Sequence, residues 1–62
     1  MKIYNSITLY SRNDIYICRE MLSNGMRVAV YRRGDLIRIE TGDAWDLDNL
    51  IDFAKKYKAK VS

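Results

Sequence analysis

From Lys2 to Thr41 apolar and polar residues alternate with a period of two, and the alternation breaks at only three places, Arg12-Asn13-Asp14, Asn24-Gly25 and Gly34-Asp35. That period belongs to a strand with one buried face. The breaks use residue types that tolerate tight turns and left-handed backbone. Asn-Gly between two alternating runs is the strongest short hairpin signal a sequence carries. Strands joined by such short loops pair with their sequence neighbours, so the expected sheet is an antiparallel meander in the order 1-2-3-4. After Thr41 the pattern changes. Leu47, Leu50, Ile51, Ala54 and Tyr57 recur at helical spacing. Asp46 is placed to cap this helix, and Trp45 before it to staple onto Leu50. Asp48 and Asp52 lie near its start, whereas Lys55, Lys56, Lys58 and Lys60 crowd its end, an order that complements the helix dipole. The predicted fold is therefore α+β, a four-stranded meander with one C-terminal helix across one face. The strands span about 2–10, 15–22, 26–33 and 36–41, the helix about 47–58, and residues 1–62 form one small domain.

At 62 residues the chain is close to the lower limit for folding unaided. One cysteine excludes an internal disulfide, and with no histidine a zinc site would need a second chain. Association is the remaining staple, which makes a homodimer or a binding partner an expectation. A composition 48% hydrophobic and 31% charged, without proline, is globular. No stretch has the length of a membrane span, and the N-terminus lacks the apolar core of a signal peptide. With its lone unpaired cysteine, the chain reads as cytoplasmic. The net charge of +3 arises before Asp43, and six arginines dominate that region.

Register sorts the faces. Taking Asn24-Gly25 and Gly34-Asp35 as two-residue loops and the first loop as three residues sets Cys18 against Tyr31, Tyr31 against Arg38, and Leu9 against Ile17. Ile3, Ile7, Leu9, Ile15, Ile17, Met21, Val28, Val30, Ile37 and Ile39 then share the helix-facing side. Arg19 and Arg32 fall on that side too, with stems that pack at the rim of the helix footprint and charges that reach water. The opposite face collects Tyr4, Tyr10, Tyr16, Tyr31, Arg27, Arg33 and Arg38, together with Glu20 and Glu40.

This tyrosine–arginine face is the candidate site, with Tyr31 and Arg38 at its centre and Tyr16, Arg33, Tyr10 and Arg27 around them. Tyrosine and arginine are the residue types of interface hot spots. Cross-strand aromatic pairs and arginine stacking also stabilise an exposed sheet with no partner present. Aromatics for stacking and arginines for phosphates suit a small nucleic-acid-binding module as well, although the two glutamates and a modest net charge oppose it. Arg33-Gly34-Asp35 spells the integrin-recognition tripeptide, but glycine and aspartate are what this turn needs anyway. Cys18 has no histidine to activate it and reads as a packing residue. The aspartates 43, 46 and 48 lack the loop of a calcium site, and capping accounts for them.

No catalytic constellation, cofactor motif or metal-ligand spacing stands out. The expectation is a non-catalytic interaction protein, a regulator or inhibitor that binds a partner protein through the outer face. A free-standing chain this small is of the kind that phages and mobile elements encode as accessory products.

Overall fold

Three hairpins and a helix account for residues 2–57, which the computed structural model describes. Strands β1 (Ile3–Arg12), β2 (Ile15–Leu22), β3 (Gly25–Arg32) and β4 (Asp35–Thr41) form one antiparallel sheet in the order β1-β2-β3-β4, followed by helix α1 (Leu47–Lys56). The expected α+β meander is the observed one. Position 58, the expected end of the helix, lies outside the described residues.

The helix forms where its local signals place it. The Asp46 side chain accepts a hydrogen bond from the Asp48 backbone N–H at 3.1 Å, satisfying one of the unpaired donors of the first turn. Leu50 and Ala54 are buried against Ile15, Ile17, Val28 and Val30 of the two central strands, and Trp45 packs on this cluster beside them. At the other end Arg32 explains its own presence on the helix side. Its Nη1 donates to the carbonyls of Ala54, at 2.9 Å, and of Tyr57, while Nε donates to Asp14 Oδ2 at 3.1 Å. A cation thus sits on the exposed carbonyls of the helix C-terminus, where the dipole favours it.

Loop positions and bulges differ from the expected register. The turns fall at Asn13-Asp14, Ser23-Asn24 and Arg33-Gly34. Moving the second loop from Asn24-Gly25 shifts the pairing by two residues, which keeps both faces and changes only the partners. Tyr16 meets Tyr31, Cys18 meets Ala29, and Glu20 meets Arg27. The first loop is two residues long, with Asn13 at φ 55°. By itself it would reverse β1, but a bulge at Leu9 restores the alternation, so that Thr8 faces Cys18 and Ser6 faces Glu20. Tyr10 lies between turn and bulge, opposite Ile17, and packs against the core. A second irregularity at Tyr4 turns Ile3 to Leu22 on the outer face.

In β4 a bulge at Ile37 is not compensated. Beyond it Arg38 pairs with Val30, Ile39 with Ala29 and Glu40 with Val28. Arg38 and Glu40 therefore belong to the helix side and Ile39 to the outer face, the reverse of the expected assignment. Arg38 lies 4.9 Å over the Phe53 ring and forms an ion pair with Glu40 at 2.6 Å.

Candidate functional site

The outer face is floored by small residues. At its centre Cys18 and Ala29 stand opposite each other, both fully buried, with Tyr16–Tyr31 on one side and Glu20–Arg27 on the other. Alternation along the two central strands aims all six side chains away from the helix. Because the middle pair is small, its larger neighbours lean inward over it. Glu20 is the result. It is 3% exposed on a face that no helix covers.

A buried carboxylate needs partners, and this one has three. Arg27 Nε donates to Oε1 at 2.6 Å, the Tyr31 hydroxyl donates to Oε2 at 2.7 Å, and the Cys18 thiol approaches Oε2 at 3.7 Å. Burial acts to raise the Glu20 pKa, but the bonds from Tyr31 and Arg27 and the charge of the arginine outweigh it, so the group lies below the ordinary range. Burial and the carboxylate together push the Tyr31 hydroxyl up to about 12. Burial likewise raises the Cys18 thiol, which stays protonated at neutral pH. Tyr16 closes the other side, its ring 6.0 Å from that of Tyr31 and its hydroxyl 3.2 Å from Thr8 Oγ1. The centre of the face is thus fixed in shape and neutral in charge.

Around this centre apolar side chains are exposed. Leu36 (44% exposed) and Ile39 (42%) come from β4, and Ile3 comes from the far edge. Between them lie two hollows. One, of about 310 Å³, is bounded by Ile3, Ser6, Tyr16, Cys18 and Tyr31. The other, of about 290 Å³, lies at the opposite end of the sheet, among Leu22, Met26, Arg27, Ile39 and Thr41.

Of the six candidate residues, Tyr16, Tyr31 and Arg27 come together here. Arg33 sits at the rim, its side chain 66% exposed and its Nε bonded to Asp14 Oδ2 at 3.1 Å. That bond helps hold the Asp14 carboxyl below its usual pKa, although Arg32 on the same oxygen is the larger cause. Tyr10 and Arg38 are not part of the site, because bulges at Leu9 and Ile37 carry them to the helix side. Glu20, Leu36 and Ile39 are the additions. Glu20 was legible as half of an opposite-charge cross-strand pair once the hairpin loop is set one residue earlier; nothing in the sequence marks the bulge that exposes Ile39. Among the described residues no group of three or more His, Cys, Asp or Glu side chains is arranged to hold a metal ion, and no helix is long and apolar enough to cross a membrane. No protein-family model matches this chain, and comparison with curated proteins and with solved structures gives no match.

Proposed function

We propose that this chain is a non-catalytic interaction protein, a small regulator or inhibitor of phage or mobile-element type, that binds a partner protein through its outer sheet face. The observation that carries the reading is the pairing of exposed Ile3, Leu36 and Ile39 with a centre already fixed by Glu20, Arg27 and Tyr31. Apolar area supplies the driving force for association, and a centre locked before binding lowers the ordering cost. Tyr16 and Tyr31 would be the desolvated anchors and Arg33 a rim contact. A nucleic-acid partner fits less well. Arg38 stands on the helix side and Arg27 is bonded to Glu20, which leaves Arg33 as the exposed arginine beside the face. A cytoplasmic setting suits the unpaired thiol of Cys18.

The test is affinity capture of the partner from the native host with three forms of the chain. The wild type and Arg38→Ala, on the helix side, should retain one protein, and Leu36→Glu should lose it by about tenfold or more, because a carboxylate would be buried in an apolar contact. Retention by Leu36→Glu would overturn the assignment of the face. A gel shift with single-stranded RNA or DNA that weakens steeply with salt would favour the nucleic-acid reading instead.

A further inference from the structure

A sheet of four strands has two open edges, and here they differ. β4 has its bulge at Ile37 in mid-strand and carries the charged residues Asp35, Arg38 and Glu40, two devices that blunt an edge against further pairing. β1 has no charged residue from Ile3 to Ser11 and is exposed from Ile3 through Thr8. Its two irregularities lie on either side of residues 5–8, which pair with β2 without interruption. The direction of the backbone groups in this stretch follows from the second hairpin. Leu22 and Gly25 bracket its two-residue turn and so form a hydrogen-bonded pair, and alternation makes Glu20–Arg27 and Cys18–Ala29 bonded pairs as well. Glu20 and Cys18 thus direct their N–H and C=O to β3. Their partners on β1, Ser6 and Thr8, turn the same groups to the open edge. The side chain of Asn5 already marks one of them, its Oδ1 accepting the Ser6 N–H at 2.9 Å in place of the carbonyl of a neighbouring strand.

We infer that residues 5–8 of β1 bind an extended acidic segment of the partner protein, which joins the sheet as a fifth strand. The inference rests on the reading of the chain as a partner-binding protein and adds an open edge to its outer face. Outward N–H and C=O groups that repeat every second residue match another extended backbone; a helix has already bonded its own and cannot use them. Charge selects the sequence of that segment. Residues 2–13 hold Lys2 and Arg12 and no carboxylate. Arg19 stands beside Ile7 on the next strand, and Arg27 neutralises Glu20, the one carboxylate of β2. An added strand with aspartate or glutamate at its ends meets these cations, and opposite charges on neighbouring strands attract. Ile7, 51% exposed, offers a cross-strand contact to a valine or isoleucine. A second copy of the chain fits worse. Antiparallel pairing of Ser6 in one copy with Thr8 in the other carries Lys2 of each copy toward Arg12 of the other, and sets like charges together at both ends.

The probe is the peptide acetyl-Glu-Thr-Val-Thr-Val-Thr-Glu-amide, titrated into the isotopically labelled protein and followed by NMR and amide hydrogen exchange. Exchange at Ser6 and Thr8 should slow about tenfold or more, well beyond any change at Asn5 and Ile7, whose N–H groups already bond β2. The same peptide with lysine at both ends should bind several-fold more weakly at low salt. Asn5→Ala frees the Ser6 N–H and should tighten the acidic peptide several-fold. Ser6→Pro removes an outward donor without breaking the ladder to β2, and should weaken it about tenfold. The exchange measurement needs no variant and decides the matter even if Ser6→Pro does not fold. A change at Ser6 and Thr8 no larger than at Asn5 and Ile7, equal binding of the acidic and lysine peptides, or no response at millimolar concentration would each overturn the site. Protection of Ser6 and Thr8 in the free protein that is lost on dilution would overturn it in favour of a second copy. Any of those results leaves the outer face itself in place, because Leu36 lies on β4, at the opposite edge, and its substitution tests the face separately.

Discussion

Glu20 is an expensive residue in its position. An ionised carboxylate loses several kcal/mol of hydration on burial, and a leucine there would be cheaper. What the glutamate does instead is fix two neighbours, turning Arg27 and Tyr31 from flexible surface side chains into a defined arrangement. Replacing it with glutamine keeps the size and one acceptor but strands the arginine, and should cost about 2 kcal/mol of stability at neutral pH by urea unfolding. The cost should depend on pH with a definite sign. The folded-state pKa of Glu20 lies below its ordinary value of 4.5, so the folded protein binds this proton less tightly than the unfolded chain. Its contribution is complete above about 4.5 and is lost as pH falls through the lower folded value. The stability gap between wild type and Glu20→Gln should therefore shrink in acid. Asp14 is also held below its usual value, by Arg32 first, and adds to the acid sensitivity of both proteins alike. A gap that stays constant from neutral pH into acid would show that Glu20 is not ionised in the fold.

At the scale of elements, what is local was legible and what must be counted was not. The helix and its start are written in adjacent residues, Trp45, Asp46 and Asp48, and form where the sequence puts them. The strands follow from their period. Faces depend on the number of residues between turns, and one extra residue reverses every side chain beyond it. The shift of two at the second hairpin did no harm to the face assignment; the single extra residue at Ile37 exchanged Ile39 for Arg38 and Glu40. Both Leu9 and Ile37 are ordinary apolar strand residues, so no glycine or proline announces either bulge. The third turn does carry a local mark of strain. Arg33 takes φ 54° and Gly34 φ 83°, the left-handed pair for which asparagine-glycine is the preferred sequence. An arginine there costs roughly 1 kcal/mol relative to a residue that adopts the conformation readily. Its ion pair with Asp14 is an exposed one and returns less than that. Arg33→Asn should accordingly raise stability by about 0.5 kcal/mol, read as a higher urea midpoint at unchanged slope. A lower midpoint would mean that the contact to Asp14 ties the first and third turns together more strongly than an exposed pair should.

The whole molecule combines a small core with a large open face. The buried apolar cluster shared by sheet and helix consists of Ile15, Ile17, Val28, Val30, Leu50 and Ala54. A core of that size leaves a domain only modestly stable. Such a protein reports sensitively on whatever covers its other side. A partner present at a hundred times its dissociation constant adds about 2.7 kcal/mol, which in a domain this small raises the melting temperature by on the order of 10–20 °C. A second copy of the chain could act as that partner, but the shape of the face argues against it. Its hollow of about 290 Å³ is a half-enclosed recess, and two such faces stacked on each other would leave it as a void where packing contacts are needed. The face asks for a partner with protruding side chains. Melting curves of the isolated protein across a hundredfold range of its own concentration should therefore superimpose, whereas addition of the captured partner should raise the midpoint in proportion to the logarithm of its concentration. A midpoint that climbs with the chain's own concentration, and ceases to climb in Leu36→Glu, would identify the second copy as the natural cover of this face.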